Sequence, residues 1–264
     1  MNSSNHRERI SVCIVTFNNE RTISDALESL FACTRQRPDV FVCDNHSTDR
    51  TLAIVRESFP DVHILESPTN EGFSKGNNRV LQQLTSEYHV VMNPDIVLRD
   101  DVLQTLSDYL DENPDICMVM PKLLSPDGTE QFTPKRAPSF KYMLGGHLEK
   151  YGGIFKKWRD EYTMKGEDLS KPVEIYFCGG CFMFVRTEIF QKVGGFDERY
   201  FLYNEDADLT RKVWQHGRVV YYPNAHVVHL WERAYKKNLK YLKIQIESML
   251  KYFWKWRGQP YGNR

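Results

Sequence analysis

Short apolar runs alternate with segments of helical periodicity along the first half of the chain. We interpret the apolar runs as strands, and they cover residues 10–17, 39–44, 62–65, a run that ends at Met92, and 116–120. The segments between them have apolar positions at helical spacing over residues 22–34, 48–59, 73–85 and 100–113. Nearly continuous apolar strands are typical of a sheet covered on both faces, and their alternation with helices indicates parallel strands. The pattern predicts an α/β fold with a doubly wound, mostly parallel central sheet and helices on both faces.

The second half of the chain lacks this regular alternation. Residues 131–172 are rich in Pro, Gly, Lys and aromatic side chains without a clear period, so we expect an irregular insert of the kind that covers a substrate. Residues 173–186 are β-like, 187–193 and 206–216 are helical, and 218–222 and 225–230 are predicted as two strands. These elements complete the domain.

The C-terminal segment differs in composition from the rest. Nine basic residues and one acidic residue, Glu247, lie between positions 233 and 264. A set of apolar side chains can share one helical face there, namely Tyr241, Leu242, Ile246, Met249, Leu250, Phe253 and Trp254. This amphipathic helix either lies on an anionic membrane surface or docks its apolar face on the domain with a solvated basic back. Both interpretations remain open from the sequence.

Charge and hydropathy argue against two classes of protein, those that bind nucleic acid and those that span a membrane. The chain has 35 basic and 35 acidic side chains, so no global charge favours nucleic acid as a partner. No apolar run reaches the roughly 18 to 20 residues that span a bilayer, and the polar N-terminus has no signal-peptide core. We therefore expect a cytoplasmic location. The sequence does not fix the oligomeric state, and a homodimer is compatible with it.

Polar clusters follow several of the predicted strands. In Asn-Pro-Asp (93–95), proline has no N–H for a ladder and ends the strand, which places Asp95 just past its carboxyl end. Ligands bind at that edge of an open α/β sheet, and a carboxylate there suits a divalent cation that carries a diphosphate. The alternative is that Asp95 caps the next helix. Further clusters occupy residues 44–49, 70–77 and 203–208.

A series of motifs occurs in order between residue 10 and about residue 231. They are Val-Thr-Phe-Asn (15–18), Asp-Asn-x-Ser-x-Asp (44–49), Asn-x-Gly-Phe-x-x-Gly-Asn (70–77), Asn-Pro-Asp (93–95), Gly-Gly-x-Phe-Met-x-x-Arg (179–186), Gly-Gly-Phe-Asp-Glu-x-Tyr-Phe-x-Tyr-x-Glu-Asp-x-Asp-Leu (194–209) and Gly-Arg…Tyr-x-Pro-x-Ala-x-Val-x-His (217–229). In these motifs the chain resembles inverting family 2 glycosyltransferases with the GT-A fold, within the bacterial subgroup that includes rhamnosyltransferases. The resemblance implies a GT-A catalytic domain over residues 8–231 and a basic, aromatic tail over 232–264.

The resemblance also implies roles for individual residues. Asp206 is the expected base for the acceptor hydroxyl, with Glu205 orienting it or touching the acceptor, and the alternative is that the pair only caps a helix. We expect the helix dipole to keep this base ionised and Asp208 to face another way. The other contacts expected with a nucleotide-sugar are made by Thr16, Asn18, Asp44, Asn45, Asn70, Gly72, Lys75, Asn77, Asn93, Gly179 and Gly180.

Two of these roles have a stated physical basis. A carboxylate accepts the N3–H of uracil or thymine strongly, which suits Asp44, although Asp44 could instead cap its own turn. The family's metal motif often has two acids, and because Asn93 stands in place of the first, Asp95 is the expected carboxylate ligand of Mg²⁺ or Mn²⁺. The family pattern matches His229, which is expected to bind either the metal or a phosphate. His226 lies three residues before His229 in a strand, so the two side chains point to opposite faces, and we interpret His226 as a packing residue.

The resemblance favours dTDP-L-rhamnose as the donor and a polyprenyl-diphosphate-linked saccharide as the acceptor, in cell-surface polysaccharide synthesis at the inner face of the membrane. A UDP-sugar transferase for GlcNAc, glucose or galactose is the alternative of the same fold. A nucleotidyltransferase would need a glycine-rich loop with Arg and Lys after the first strand, where this chain has Asn18-Asn19-Glu20-Arg21. A decayed, non-catalytic site is disfavoured because Asp44, Asp95, Glu205 and Asp206 are all present.

Overall fold

The first half of the chain forms the predicted alternation of strands and helices. The computed structural model describes residues 9–131, 134–230, 239–259 and 261. In chain order the elements are β1 (Ile10–Thr16), α1 (Ile23–Cys33), β2 (Asp39–Asp44), α2 (Thr51–Ser58), β3 (His63–Glu66), α3 (Gly72–Asn78), β4 (Tyr88–Met92), β5 (Ile96–Val97), α4 (Val102–Glu112) and β6 (Ile116–Leu124). The α/β class is therefore confirmed.

The second half contains more regular structure than its composition suggests. Its elements are β7 (Glu130–Gln131), α5 (Phe140–Leu148), a 3₁₀ turn (Glu149–Tyr151), α6 (Gly153–Tyr162), β8 (Val173–Glu174), β9 (Phe182–Arg186), α7 (Thr187–Lys192), α8 (Glu205–Trp214), β10 (Arg218–His229) and α9 (Leu239–Lys255). The two strands predicted over 218–230 are one strand, whose register shifts between Tyr222 and His226.

The prediction of an irregular insert over residues 131–172 was wrong, because α5 and α6 form a helical hairpin within it. The Ser139 side chain accepts a hydrogen bond from the Tyr142 N–H and caps α5. Gly145 lets the helices approach closely, since a Cβ there would lie 2.9 Å from Cβ of Trp158. Glycines used for packing thus obscured the helical period.

The sheet is mixed, with strand order β3-β2-β1-β4-β9-β6-β10-β5. Neighbours from β3 to β4 are parallel, as are β6 and β10, whereas β9 runs antiparallel to both β4 and β6. Because β9 is reversed, its first residue, Phe182, pairs with Met92 at the end of β4. The glycines before β9 therefore reach the same edge as Asn93 and Asp95.

Alternate residues of the central strands enter two separate cores. Val12 and Ile14 of β1 pack in one core with Leu27 of α1, whereas Cys13 packs in the other with Met118. This alternation is what a strand covered on both faces requires. The prediction of helices on both faces is confirmed, and the loops at the strand ends are held by a rigid scaffold.

Helix α9 docks on α8 through part of its surface. Asp208 is fully buried and accepts hydrogen bonds from Nζ of Lys255 and Nε1 of Trp256, both at 2.7 Å. Tyr252 and Trp256 pack with Ala207 of α8. The helix therefore docks, but through Tyr252, Lys255 and Trp256, none of which belongs to the predicted apolar face. Asp208 faces α9, in agreement with the expectation that it faces another way than Asp206.

A second face of α9 stays exposed and is also apolar. It carries Leu242, Ile246, Leu250 and Trp254. Among the described residues, no helix is long and apolar enough to cross a membrane. The boundary expected at 231/232 lies outside the described residues.

Candidate active site

The loops after β1, β2, β3 and β4 enclose a cleft of about 520 Å³ at the carboxyl edge of the parallel strands. The expected site residues that line it are Thr16, Asn18, Asn45, Asn70, Gly72, Asn93 and Asp95. Tyr241 of α9 completes one wall. This is the edge at which open α/β sheets bind ligands.

Asp44 ends β2 and is almost completely buried beneath this cleft. Its Oδ1 accepts a hydrogen bond from the Thr16 hydroxyl at 2.7 Å, and its Oδ2 accepts one from the Ser47 N–H at 2.8 Å. Oδ1 also accepts a hydrogen bond from the Ser47 hydroxyl, so the carboxylate caps its own turn through Ser47, which is the alternative role considered for Asp44. An ionised carboxylate has about four acceptor positions, so a contact with a base remains a prediction.

Asparagine side chains fix the loops that line the cleft. Asn18 has a left-handed backbone (φ 56°), and its Oδ1 accepts the Thr48 N–H at 2.8 Å, which joins the loops after β1 and β2. Asn70 Oδ1 accepts the Gly72 N–H at 3.0 Å. Gly72 has φ 86°, and a Cβ there would lie 2.4 Å from the carbonyl oxygen of Phe201. These residues shape the cleft as well as lining it.

Asn45, Lys75 and Asn77 differ in their relation to the cleft. Asn45 lines it, donates through Nδ2 to the Gly72 carbonyl at 2.9 Å and has a buried Oδ1 without a partner. Asn77 is buried inside α3 and donates to the Phe73 carbonyl at 3.0 Å, while Lys75 is exposed and lies 4.0 Å from Glu71. Neither Lys75 nor Asn77 is among the lining residues, so the structure does not group them with the others.

Asp95 and His229 lie together, as the metal-site prediction requires. Nε2 of His229 is 3.4 Å from Oδ2 of Asp95, and Oδ1 of Asp95 is buried without a hydrogen-bond partner. Nδ1 of His229 is 3.1 Å from Oε1 of Gln131, an arrangement that fixes the proton on Nδ1 and leaves the Nε2 lone pair facing Asp95. His226 faces the other way and pairs with Asp100 at 3.5 Å, as expected.

These two side chains fit a divalent cation. A carboxylate and a neutral imidazole are suitable ligands for Mg²⁺ or Mn²⁺, and the unpartnered Oδ1 of Asp95 gives the pair a vacant acceptor. Across the described part of the chain, no three His, Cys, Asp or Glu side chains converge. A cation at this site would therefore depend on oxygen ligands from a bound substrate.

Glu205 and Asp206 open α8, and burial raises the pKa of both carboxyl groups. The pKa of Glu205 is raised well above its ordinary value by burial and by the charge of Asp206. The pKa of Asp206 is also raised by burial, but the Lys135 ammonium and the N–H groups of Ala207 and Gly180 oppose that shift. Burial therefore opposes the ionisation of this base, which the helix dipole is expected to favour. Asp206 is the member of the pair that ionises first.

The glycines before β9 connect the carboxylate pair with the metal-site residues. The Gly180 N–H donates to Oδ2 of Asp206 at 3.2 Å, and a Cβ on Gly180 would contact Asp206 and the ring of Phe73, a residue that lines the cleft. The next residue, Cys181, accepts the Asn93 N–H through its carbonyl at 2.9 Å. Gly179 directs its N–H to the sulfur of Met120. The turn at residues 179–181 therefore contacts both the Asp206 carboxylate and the loop that carries Asn93 and Asp95.

Two residues near Asp206 were not predicted from the sequence. Lys135 lies with Nζ 4.4 Å from the Phe177 ring centroid; burial lowers the pKa of its ammonium, and the charge of Asp206 opposes that effect. The Tyr162 hydroxyl has a raised pKa because of burial and the charge of Asp206. Both residues belong to the segment that was expected to be irregular, and no motif marks them.

Sequence comparison places the chain in a known family. The model of glycosyl transferase family 2 matches residues 11–194. The N-acetylglucosaminyl-diphospho-decaprenol L-rhamnosyltransferase of Mycobacterium tuberculosis is 29% identical over 234 residues, which cover 83% of this chain and 75% of that protein. Rhamnosyltransferase WbbL of Escherichia coli is 25% identical and covers 83% of each chain. The chain belongs to glycosyl transferase family 2 and is a glycosyltransferase.

Solved structures share the GT-A fold. The mannosyltransferase PcManGT of Pyrobaculum calidifontis, in complex with GDP-Man and Mn²⁺, superposes with a TM-score of 0.66 at 17% identity. The match covers 95% of this chain and 64% of PcManGT, so the chain spans less than two thirds of that protein. TarS residues 1–349 of S. aureus, in complex with UDP-GlcNAc, gives a TM-score of 0.64 at 18% identity, over 93% of this chain and 66% of TarS.

Proposed function

We propose that this protein is an inverting rhamnosyltransferase that transfers L-rhamnose from dTDP-L-rhamnose to a polyprenyl-diphosphate-linked saccharide. The observation that carries the proposal is the placement of Asp95 and His229, 3.4 Å apart with an unpartnered carboxylate oxygen, at the strand edge shared with the turn that contacts Asp206. This arrangement suits a diphosphate leaving group and a proton acceptor on neighbouring parts of one site.

The cleft would bind the nucleoside diphosphate. Asn45 offers a buried, unpartnered amide oxygen to the donor, and Asp44 below it would accept the N3–H of the thymine. Asp95 and His229 would hold Mg²⁺ or Mn²⁺. When bound, the cation would neutralise the charge that develops on the departing diphosphate.

Asp206 would act as the general base. Its carboxylate takes the proton of the acceptor hydroxyl while that oxygen bonds to the anomeric carbon, on the face opposite the breaking bond to the nucleoside diphosphate. Glu205 keeps its proton to higher pH than Asp206 and so would hold its neighbour in the ionised form. Backbone N–H groups of Gly180 and Ala207 fix the Asp206 carboxylate in place.

The expected acceptor is lipid-linked, and the exposed face of α9 supports contact with a membrane. Leu242, Ile246, Leu250 and Trp254 are exposed on this helix, and Lys243, Lys251 and Arg257 are exposed beside them. Apolar side chains flanked by basic ones suit the surface of an anionic bilayer. The proposal therefore places the enzyme at the cytoplasmic face of the cell membrane.

The test is the release of nucleoside diphosphate from a panel of dTDP-rhamnose, UDP-GlcNAc, UDP-glucose and UDP-galactose, with a GlcNAc-diphospho-lipid as acceptor. We expect turnover of dTDP-rhamnose that requires Mg²⁺ or Mn²⁺ and falls by a factor of about 10² to 10⁴ in Asp206→Asn. Turnover of a UDP-sugar alone would favour the alternative transferase of the same fold. No turnover of any donor would contradict the proposal.

A further inference from the structure

A second, apolar groove lies between α5 and α9. Its volume is about 580 Å³, and apolar lining residues come from both helices, including Met143, Leu144, Ile246, Met249 and Phe253. Phe140 of α5 stacks on Phe253 of α9 with ring centroids 4.1 Å apart, which joins the two helices. A concave, apolar site of this size is typical of a site for a hydrophobic ligand.

The inner end of the groove leads to the carboxylate pair. Asn204 and Tyr162 line the groove, Asn204 directly precedes Glu205, and the charge of Asp206 acts on the Tyr162 hydroxyl. At the outer side, Leu144 and Ile246 are exposed to solvent. The groove therefore runs from the proposed proton acceptor towards the exposed apolar surface of α5 and α9.

Two cations stand near this inner end. Arg159 lines the groove, and its ion pair among the residues that the structure describes is a long one, 3.8 Å from its Nε to a carboxylate oxygen of Glu149. A guanidinium has five N–H donors, which is more than this contact uses. Lys135 precedes Arg136, whose N–H donates to the carbonyl of the lining residue Tyr162 at 2.9 Å, and the charges of Asp206 and Arg159 act on the pKa of the Lys135 ammonium. Cationic groups at one end of an apolar groove complement an anionic head attached to a long apolar chain.

We propose that the groove between α5 and α9 binds the isoprenoid chain of a lipid diphosphate, and that Arg159 and Lys135 bind its diphosphate. This inference rests on the proposed function, because it identifies where the lipid part of the acceptor is held. The saccharide attached to the diphosphate then lies beside Asp206, and the remainder of the chain leaves past Ile246 towards the membrane.

A membrane surface alone does not account for the groove. A bilayer covers exposed side chains such as Leu250 and Trp254, which do not line the groove, whereas a single flexible chain can enter a concavity lined by Met143 and Met249. The groove also reaches Asn204, which directly precedes the carboxylate pair, whereas Leu250 and Trp254 lie outside it. The groove is therefore assigned to the isoprenoid chain, and the exposed face of α9 is assigned to the membrane surface.

The test measures binding of a fluorescent C20 prenyl diphosphate without saccharide or donor, by anisotropy, so it does not depend on turnover. In Ile246→Glu we expect binding about tenfold weaker or more, because a charge enters an apolar site. The matched control is Ile154→Glu, since Ile154 on α6 is 56% exposed against 45% for Ile246 and does not line the groove. We expect the control to bind the probe as the unmodified protein does.

A second variant tests the diphosphate end. Arg159→Gln should weaken the prenyl diphosphate about fivefold to tenfold and leave the affinity for the uncharged C20 prenol unchanged, because only the diphosphate uses the guanidinium. Unchanged diphosphate binding in both variants would overturn the proposal. Loss of anionic-vesicle binding in Ile246→Glu with unchanged probe affinity would also overturn it and make the groove a membrane contact only. Failure of the donor panel with normal probe binding would instead overturn the proposed function.

Discussion

At the scale of single residues, the site separates two neighbouring carboxyl groups by their surroundings. Glu205 has a buried, unpartnered Oε2, whereas Asp206 accepts two backbone N–H groups and faces the Lys135 ammonium. Hydrogen bonds and a cation favour the charged form of Asp206, and burial without partners favours the neutral form of Glu205. The surroundings therefore favour ionisation of Asp206 over ionisation of Glu205.

The pH profile of the enzyme should report this arrangement. Transfer requires ionised Asp206, whose pKa is raised, so activity should fall as the pH drops through a value above the ordinary range of an aspartate. Lys135→Met removes the cation that opposes this rise, so the acidic limb of kcat should move to higher pH. The control is Lys157→Met, an exposed lysine on α6 that should leave the limb in place. A limb that stays fixed or moves to lower pH in Lys135→Met would contradict this assignment.

The metal-site assignment predicts a different response from the two histidines of β10. His229→Gln should raise the Mn²⁺ concentration for half-maximal activity by about tenfold or more, because an imidazole ligand is lost. Gln131→Ala should act in the same direction, since Gln131 orients His229. His226→Gln changes the opposite face of the same strand and should leave the metal titration unaltered. Equal effects of the two histidine substitutions would refute the assignment.

At the scale of elements, the sequence predicted what local patterns encode. The alternation of strands and helices could be predicted because the spacing of apolar residues shows within each short segment. The end of the strand at Asn93-Pro94 could be predicted because proline lacks the N–H that a strand ladder needs. The antiparallel position of β9 between β4 and β6 could not be predicted from the sequence, because pairing between distant strands leaves no local sequence pattern. The hairpin of α5 and α6 was missed because glycines and aromatic residues obscure its period, and Lys135 was missed with it.

One of the contacts that hold α9 is made by a buried acid, Asp208. Asp208→Asn should destabilise the protein by about 3 kcal/mol, because Lys255 and Trp256 would lose a buried charged acceptor. Urea unfolding measures this difference. Glu247→Gln is the control, since Glu247 is exposed on the same helix and its ion pair with Lys243 should contribute less than about 1 kcal/mol. If Asp208→Asn lowers the free energy of unfolding as little as the control does, α9 is held mainly by other contacts.

At the scale of the whole molecule, three parts of the proposed site meet near one edge of the sheet. The loops after the parallel strands form the cleft that we propose for a nucleotide, the reversed strand β9 brings the turn at Gly180 to Asp206, and α9 places an apolar surface nearby. The general position of the cleft followed from the sequence, since polar clusters at successive strand ends must meet. The roles of Asp206 and His229 came from the family resemblance, and their geometry came only from the folded chain.

The central claim is that Asp206 directs an acceptor hydroxyl to the face opposite the departing diphosphate. The most direct measurement is the anomeric configuration of the product formed from the donor that turns over, determined by NMR from the one-bond C1–H1 coupling. We predict that the new glycosidic bond has the configuration opposite to that of the donor. A product that retains the donor's configuration would contradict the assignment of Asp206 as the base and the account of the site built on it.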